Sequence, residues 1–342
     1  MAEPKFHVLR ATPQTVQWGY FDRTVSPVLT INSGDVVLME SLTHHAGDAP
    51  DLMMDKNVQH VYDSISSADR GPGVHIVTGP IFVRGAEVGD VLECRVLSLQ
   101  PRLPYGSNFE ANWGLLYEEF GHTEHVVIWQ ADVSRGVARA VFQYPFPGKL
   151  EIPGTITDPS SVERRPALSQ ISIPLRLHLG TAGVAPAEDG RVSTIPPGQF
   201  GGNVDNRWFG PGTSMYYPVL NTGALFWAGD SHFAEGDGEI SGTAIEGHLD
   251  ATLQLIVHKG LRIHNPVLQT PDTWMCHAFH RDLNEAMRLA ALEAIDFLVA
   301  RENLTRQEAY SLLSVAGDFH VTQVVDDVKG IHAVIRRDFR RP

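Results

Sequence analysis

Up to about residue 270 the apolar positions fall in short alternating or continuous runs, among them VVLMES, IFVRG, VLECRVLSL, VVIWQADV, ARAVFQY and LQLIVH. Each run is closed by Gly, Pro, Asn or Asp, the pattern of a sandwich or barrel built from many short strands. SGDVVLMES from Ser33 and VGDVLECRV from Val88 both set a Gly-Asp turn before a strand, a hairpin device used twice. From Glu246 to His258 the alternation is sustained. Glu246, His248, Asp250, Thr252 and Gln254 fall on one side of a strand, and Leu249, Ala251, Leu253, Leu255 and Val257 on the other. The polar side either lines a site or faces water.

Helical periodicity appears only near the C-terminus. Asp282 with Glu285 forms a capping-box-like start, after which Leu283, Met287, Ala290, Ala294, Phe297 and Leu298 recur on one face. Thr305 with Glu308 opens a second helix that runs to Gly317. FHVTQVVDDV and IHAVIRRDF then read as a last hairpin around Lys329 and Gly330. The stretches from Pro101 to Phe120 and from Pro147 to Arg165 read as loops. The second separates a β-rich half, residues 1–150, from a half at 166–342 that holds the polar motifs and the helices, the two packed intimately or as one unit. The chain is thus expected to be mainly β, sandwich- or barrel-like, with two C-terminal helices and a closing β-hairpin.

Composition narrows the class. With 43% hydrophobic and 20% charged residues the chain is ordinarily globular, its mean hydropathy is -0.11, and no apolar run approaches the roughly 20 residues of a membrane span. The N-terminal MAEPKFHVLR lacks the apolar stretch of a secretory signal, so a cytoplasmic location is expected. A net charge of -13 argues against nucleic acid or an anionic membrane as partner and is compatible with a small neutral substrate.

The candidate chemistry concentrates between Pro196 and Glu246, where Asp205, Asp230, His232, Asp237, Glu239 and Glu246 lie among glycines. Carboxylates gathered this densely repel and partly protonate unless a cation neutralises them, which points to a metal ion. Asp230 and His232 are two apart, so in a strand an oxygen and a nitrogen ligand share a face. Asp205 follows the Gly201-Gly202 pair, where backbone can come close to a ligand. Asp237 and Glu239 flank Gly238 in GDGE, which reads equally as a tight turn. Mixed oxygen and nitrogen donors suit zinc, manganese or iron, and an all-oxygen set suits calcium or magnesium. Glu246 falls on the opposite face from Glu239 unless a bulge at Gly242 re-aims it, and it is a general-base candidate. His75, before a Thr-Gly-Pro turn, could project into a cleft or be structural. His44 and His45, followed by Asp48 and Asp51, form a second site or a polar loop. There is no G-x-S-x-G elbow, no serine- and glycine-rich amidase signature with its lysine, and no phosphate-binding glycine loop. Cys94 lies within a strand pattern, and Cys276 has only His277 beside it, a poor basis for a thiol nucleophile.

Four phrases carry a wider likeness: TGPIFVRGAEVGDVL (Thr78 to Leu92), PPGQFGGNVD (Pro196 to Asp205), PVLNTGALFWAGDSHFAEGDGEISGTAIE (Pro218 to Glu246) and AYSLLSVAGDFHVTQVVDDVKGIHAVI (Ala309 to Ile335). They resemble the acetamidase/formamidase family and occur in that family's order, within a likeness running from about Val36 to Phe339. G-G-N-x-D followed by G-D-x-H-x-x-x-G-D-G-E is the specific part. The resemblance implies a hydrolase that cleaves the C–N bond of a small amide, of the formamide or acetamide type, to ammonia and a carboxylate. It implies a β-rich fold, a homodimer, and a divalent metal that is zinc, with calcium as the alternative. Carried over by motif, Asp205, Asp230 and His232, then Asp237, hold the metal or line the site. On this reading Glu239, with Glu246 as alternative, is the general base and His75 orients the substrate. The backbone N–H groups of Gly201 and Gly202, with Asn203 beside them, meet the substrate oxygen. Many relatives have histidine just before G-G-N, where this chain has Phe200, so any ligand role there is lost. With HHAGDAPDLMM from His44, this points to a branch acting on a different amide. The rival readings are a cyclic amide or formylated amine as substrate, and a non-catalytic metal-stapled sandwich presenting Trp208, Phe209, Tyr216 and Tyr217 to a ligand.

Overall fold

The computed structural model describes residues 3–339. Its strands join mainly antiparallel into an 18-stranded sheet, with a 2-stranded one beside it. The Glu246–His258 strand is paired along both edges, its Leu249 to Gln254 with Ser41 to Val36 and its Leu249 to His258 with Pro101 to Val91. The alternation in the sequence has its expected physical outcome. Leu249, Ala251, Leu253 and Leu255 enter the largest apolar cluster, alongside Val37, Met39 and Phe226, while Asp250, Thr252 and Gln254 stay half-buried.

Two expectations change. The stretch from Pro101 is not all loop, because the 20-residue strand Val91–Glu110 runs on into it as far as Glu110, its Tyr105 to Glu110 pairing with Gln130 to His125. A proline breaks a regular ladder, but Pro101 sits opposite Leu249, where the register shifts between Gly247 and Leu249. Helices are also not confined to the C-terminus. Lys56–Ser64 is helical, with the Asp55 carboxylate accepting from the N–H groups of Asn57 and Val58. It buries only Val58, Val61 and Tyr62, too few apolar positions to show a period.

The C-terminal helices are Leu283–Glu302, capped by Asp282, and Arg306–Ala316, whose Thr305 and Glu308 complete a capping box. They pack on Thr273–His280 and Lys329–Arg336 through Ile295, Leu298, Leu313, Trp274 and Ile335. Gly317–Val321 and Lys329–Arg336 form the closing hairpin. Its turn lies before Lys329 rather than around it.

The site rests where these strands converge. Phe226–His232 pairs with His178–Gly183 on one edge and Ile76–Arg84 on the other, and its last residue, His232, stands opposite both His178 and Glu246.

Candidate metal centre and cavity

The backbone itself is unusual at the acidic residues. Asp205, Asp230 and Glu239 all occupy the left-handed region, with φ of 51°, 48° and 45°. Such residues cost about 1–3 kcal/mol each and persist where the surroundings over-determine them. At Asp230 the left-handed turn interrupts a strand in which every residue is buried.

Asp205, Asp230 and His232 converge over Gly180. A Cβ placed on Gly180 would lie 2.5 Å from Asp205 Oδ1, 2.5 Å from His232 Cε1 and 2.8 Å from Asp230 Oδ2. His232 Nε2 stands 3.4 Å from Asp230 Oδ2 and 3.2 Å from Glu246 Oε1. Its Nδ1 is turned the other way, 3.0 Å from His178 Nε2 and 3.4 Å from Glu235 Oε2. Glu235 Oε2 also lies 2.7 Å from His178 Nε2, and His178 Nδ1 donates to the Arg176 carbonyl. A ring held through Nδ1 by a carboxylate-backed partner presents Nε2 as a ligand would.

Three groupings share His232: with Asp205 and Glu239, with Asp230 and Glu246, and with His178 and Glu235. A fourth joins His44, His75 and Asp230; in each, one donor atom per residue lies within 4.8 Å of the others. Both oxygens of Asp205, His232 Nε2, Glu235 Oε1 and Glu246 Oε2 are buried without a hydrogen-bond partner. Buried polar atoms are ordinarily satisfied, so this set fits a cation bound by oxygen and imidazole nitrogen without thiolate.

The electrostatics agree. Burial, then Glu239, Asp326 and Asp230, pushes the Asp205 carboxyl well up, and burial with Glu235 and Asp326 does the same to Glu239. Burial raises Glu246 and pushes Asp326 up to about 8. Burial disfavours the charge of Asp230 too, but His75 and His232 outweigh it and hold that carboxyl well below its usual range. For His232 burial opposes the charge, and Glu246 and Asp230 overcome it to raise the imidazole well above normal. Without a cation the cluster therefore stores protons on its acids.

A cavity of ≈ 150 Å³ opens onto this cluster. His44, His75, Asn203, Asp230, Glu239 and Glu246 are among its lining groups, with Asp326 beside them. His75 Nδ1 meets Thr194 Oγ1 at 3.1 Å, and its Nε2 lies 3.8 Å from Asp230 Oδ2. Asp237 is drawn away, with an oxygen 2.8 Å from Arg207 Nε and another 3.2 Å from His320 Nδ1. Gly201 and Gly202 stay in the ladder opposite Gly183 and Ala182, Gly201 N–H donates to the Gly198 carbonyl, and neither lines the cavity. Asn203 does line it, accepting from Thr181 Oγ1 and donating to Asp326 at 3.1 Å. Phe200 lies in the apolar core against Phe21. Phe209 and Tyr217 are core residues, and Tyr216 donates to Gln269. Only Trp208 of that aromatic set is exposed, beneath the Arg176 guanidinium. Both cysteines are buried, with thiols pushed up by burial.

Sequence reasoning left His44 and His45 open and missed Asp48's part. Asp48 Oδ2 lies 3.0 Å from His45 Nδ1 and accepts from Ser107 Oγ at 2.5 Å, which turns a buried His45 toward the cavity wall. His178, Glu235 and Asp326 were not singled out. Glu235 stands three residues after His232, a spacing that carried a usable signal.

Comparison with known proteins identifies the family. The acetamidase/formamidase family model matches residues 13–191 and 187–335. The chain is 30% identical over 309 residues to a formamidase of Methylophilus methylotrophus, covering 74% of each chain. It is 28% identical over 312 residues to an acetamidase of Mycolicibacterium smegmatis, covering 74% of this chain and 76% of that one. The crystal structure of an acetamidase from Yersinia enterocolitica superposes with a TM-score of 0.75 at 26% identity, over 98% of this chain and 93% of the other. With four ordered motifs, a matching β architecture and near-complete coverage in agreement, the chain belongs to the acetamidase/formamidase family.

Proposed function

We propose that this chain hydrolyses the C–N bond of a small primary amide to ammonia and a carboxylate, using a divalent metal held by Asp205, Asp230 and His232. The observation that carries the reading is the convergence of these side chains over Gly180, with buried donor atoms left unpartnered. When bound, such an ion lowers the pKa of water and polarises a carbonyl. The donor mixture of carboxylate and imidazole favours zinc over calcium.

The chain's own groups supply the proton transfers. Glu239, on the cavity wall with a carboxyl raised by burial, takes the proton from attacking water and returns it to the departing nitrogen. Glu246, held through Oε1 by the Ala244 N–H, is the second candidate for that role. His75, fixed at Nδ1 by Thr194, orients the amide, and His45, held by Asp48, faces it from the adjoining wall.

Ammonia release from formamide and acetamide, followed before and after chelation, tests the reading. Chelation is expected to abolish release and zinc to restore it. Undiminished release from fully metal-stripped protein would overturn the metal's role.

A second expectation concerns pH. Asp205, Glu239, Glu246 and Asp326 have raised carboxyls in the folded, metal-free protein. Their stabilising contribution is complete below the unfolded carboxylate range near pH 4 and is lost as pH rises through the folded values. The His44 and His75 imidazoles are lowered by burial and act in the opposite sense around pH 6.5, so the clean window lies above pH 7. Metal-free protein is expected to lose about 1–2 kcal/mol between pH 7 and 9 from Asp326 alone, read as a falling Tm that added zinc flattens. A Tm that rises over this interval in metal-free protein would contradict the assignment.

A further inference from the structure

Resting on that reading of the site, we infer that the substrate is an uncharged primary amide whose acyl group is apolar and larger than the methyl of acetamide. The cavity is graded in depth. Its polar lining groups His44, His75, Asn203, Asp230 and Glu246 are all buried. Val74, Trp113, Leu150, Pro153, Ile195 and Val325 line it as well, and every one of these is only half-buried. The walls toward solvent are thus apolar and the floor polar. An amide that places its carboxamide on the floor must lay its acyl group between those walls.

Size points the same way. A cavity of ≈ 150 Å³ has room for on the order of ten water molecules, and formamide would fill a small part of it and leave the apolar walls facing water. An apolar acyl group displaces that water, and in a hydrophobic pocket one methylene is worth about tenfold or more in kcat/KM. Charge sets the other limit. The lining includes Glu151, Asp230, Glu239, Glu246 and Asp326 and, among the described residues, no lysine or arginine. A substrate carrying a carboxylate at the far end of its acyl group would set it against Glu151 at the rim, with no lysine or arginine in the described lining to receive it. Glu151, exposed at the rim, extends this bias to the entrance.

The test uses the metal-loaded enzyme and initial rates of ammonia release. Formamide, acetamide, isobutyramide and benzamide form one series; succinamide and its monoamide acid, succinamate, form a neutral and anionic pair. The expected kcat/KM for isobutyramide or benzamide exceeds that for formamide at least about tenfold, and succinamide exceeds succinamate by a similar factor. Val325→Trp, on a half-buried wall residue, is expected to lower the isobutyramide-to-formamide ratio at least about tenfold. Thermal protection of the enzyme by benzamide but not by benzoate gives a readout independent of turnover. Formamide or acetamide as the fastest substrate would overturn the inference and leave amide hydrolysis standing. No ammonia from any amide would overturn both.

Discussion

Glu239→Gln is expected to lower kcat by about 10²–10⁴ while fold and metal content are retained. The substitution keeps the shape of the side chain and removes only its capacity to accept a proton. Glu239 lines the cavity and, with Asp205, contributes an oxygen within 4.8 Å of His232. Its backbone is held in the left-handed region with its N–H bonded to the Gly236 carbonyl, so the glutamine should sit where the glutamate sits. Three measurements decide the case: kcat on the best amide, bound metal per chain, and Tm. Loss of turnover with metal and Tm unchanged identifies the base. Near-normal turnover would transfer the role to Glu246, and loss of metal together with turnover would make Glu239 a ligand.

Gly180→Ala is expected to be nearly as damaging, although the added methyl carries no charge and the position carries no unusual backbone angle. The new carbon would stand 2.5 Å from both Asp205 Oδ1 and His232 Cε1, closer than real Cβ contacts allow, so both side chains must shift. Displacing a group that positions a ligand typically costs 10–100-fold in metal affinity or activity, and here two ligands are displaced at once. A loss of about 100-fold or more is the expected outcome, read by metal titration and by kcat. Gly236→Ala is the matched control, because a Cβ there meets nothing within 4 Å. Equal effects from the two substitutions would show that Gly180 serves the strand rather than the cluster.

Much of the scaffold was legible because it obeys short-range rules. The alternation from Glu246 to His258 needed only the period of a strand, and both C-terminal helices announced themselves through Asp282 and through Thr305 with Glu308. The Asp230-x-His232 spacing picks out two side chains that the fold does bring together, though not by a regular strand, since Asp230 leaves that geometry at φ 48°. What stayed hidden depends on long-range placement. His178 acts by standing opposite His232 across a strand pair, and Asp48 acts by meeting Ser107, 59 residues away, in the interior. Neither relation has a local signature. Asp237 shows the converse, since a motif partner of Glu239 is captured by Arg207 and His320, which no spacing rule foretells. The extension of Val91–Glu110 through Pro101 was masked because the strand itself bulges there, Pro101 to Gly106 standing against only Leu249 to Gly247 of its neighbour.

The left-handed backbone at Asp205, Asp230 and Glu239 also fixes how this fold would age once hydrolysis is no longer under selection. Glycine relaxes each of these positions and deletes an acidic side chain in the same step. Drift toward inactivity is therefore downhill in stability at Asp205 and Glu239, where burial opposes the charge, but not at Asp230, whose carboxylate balances His75 and His232. A descendant that has abandoned the chemistry should carry glycine at positions 205 and 239 and outlast its active cousins on heating.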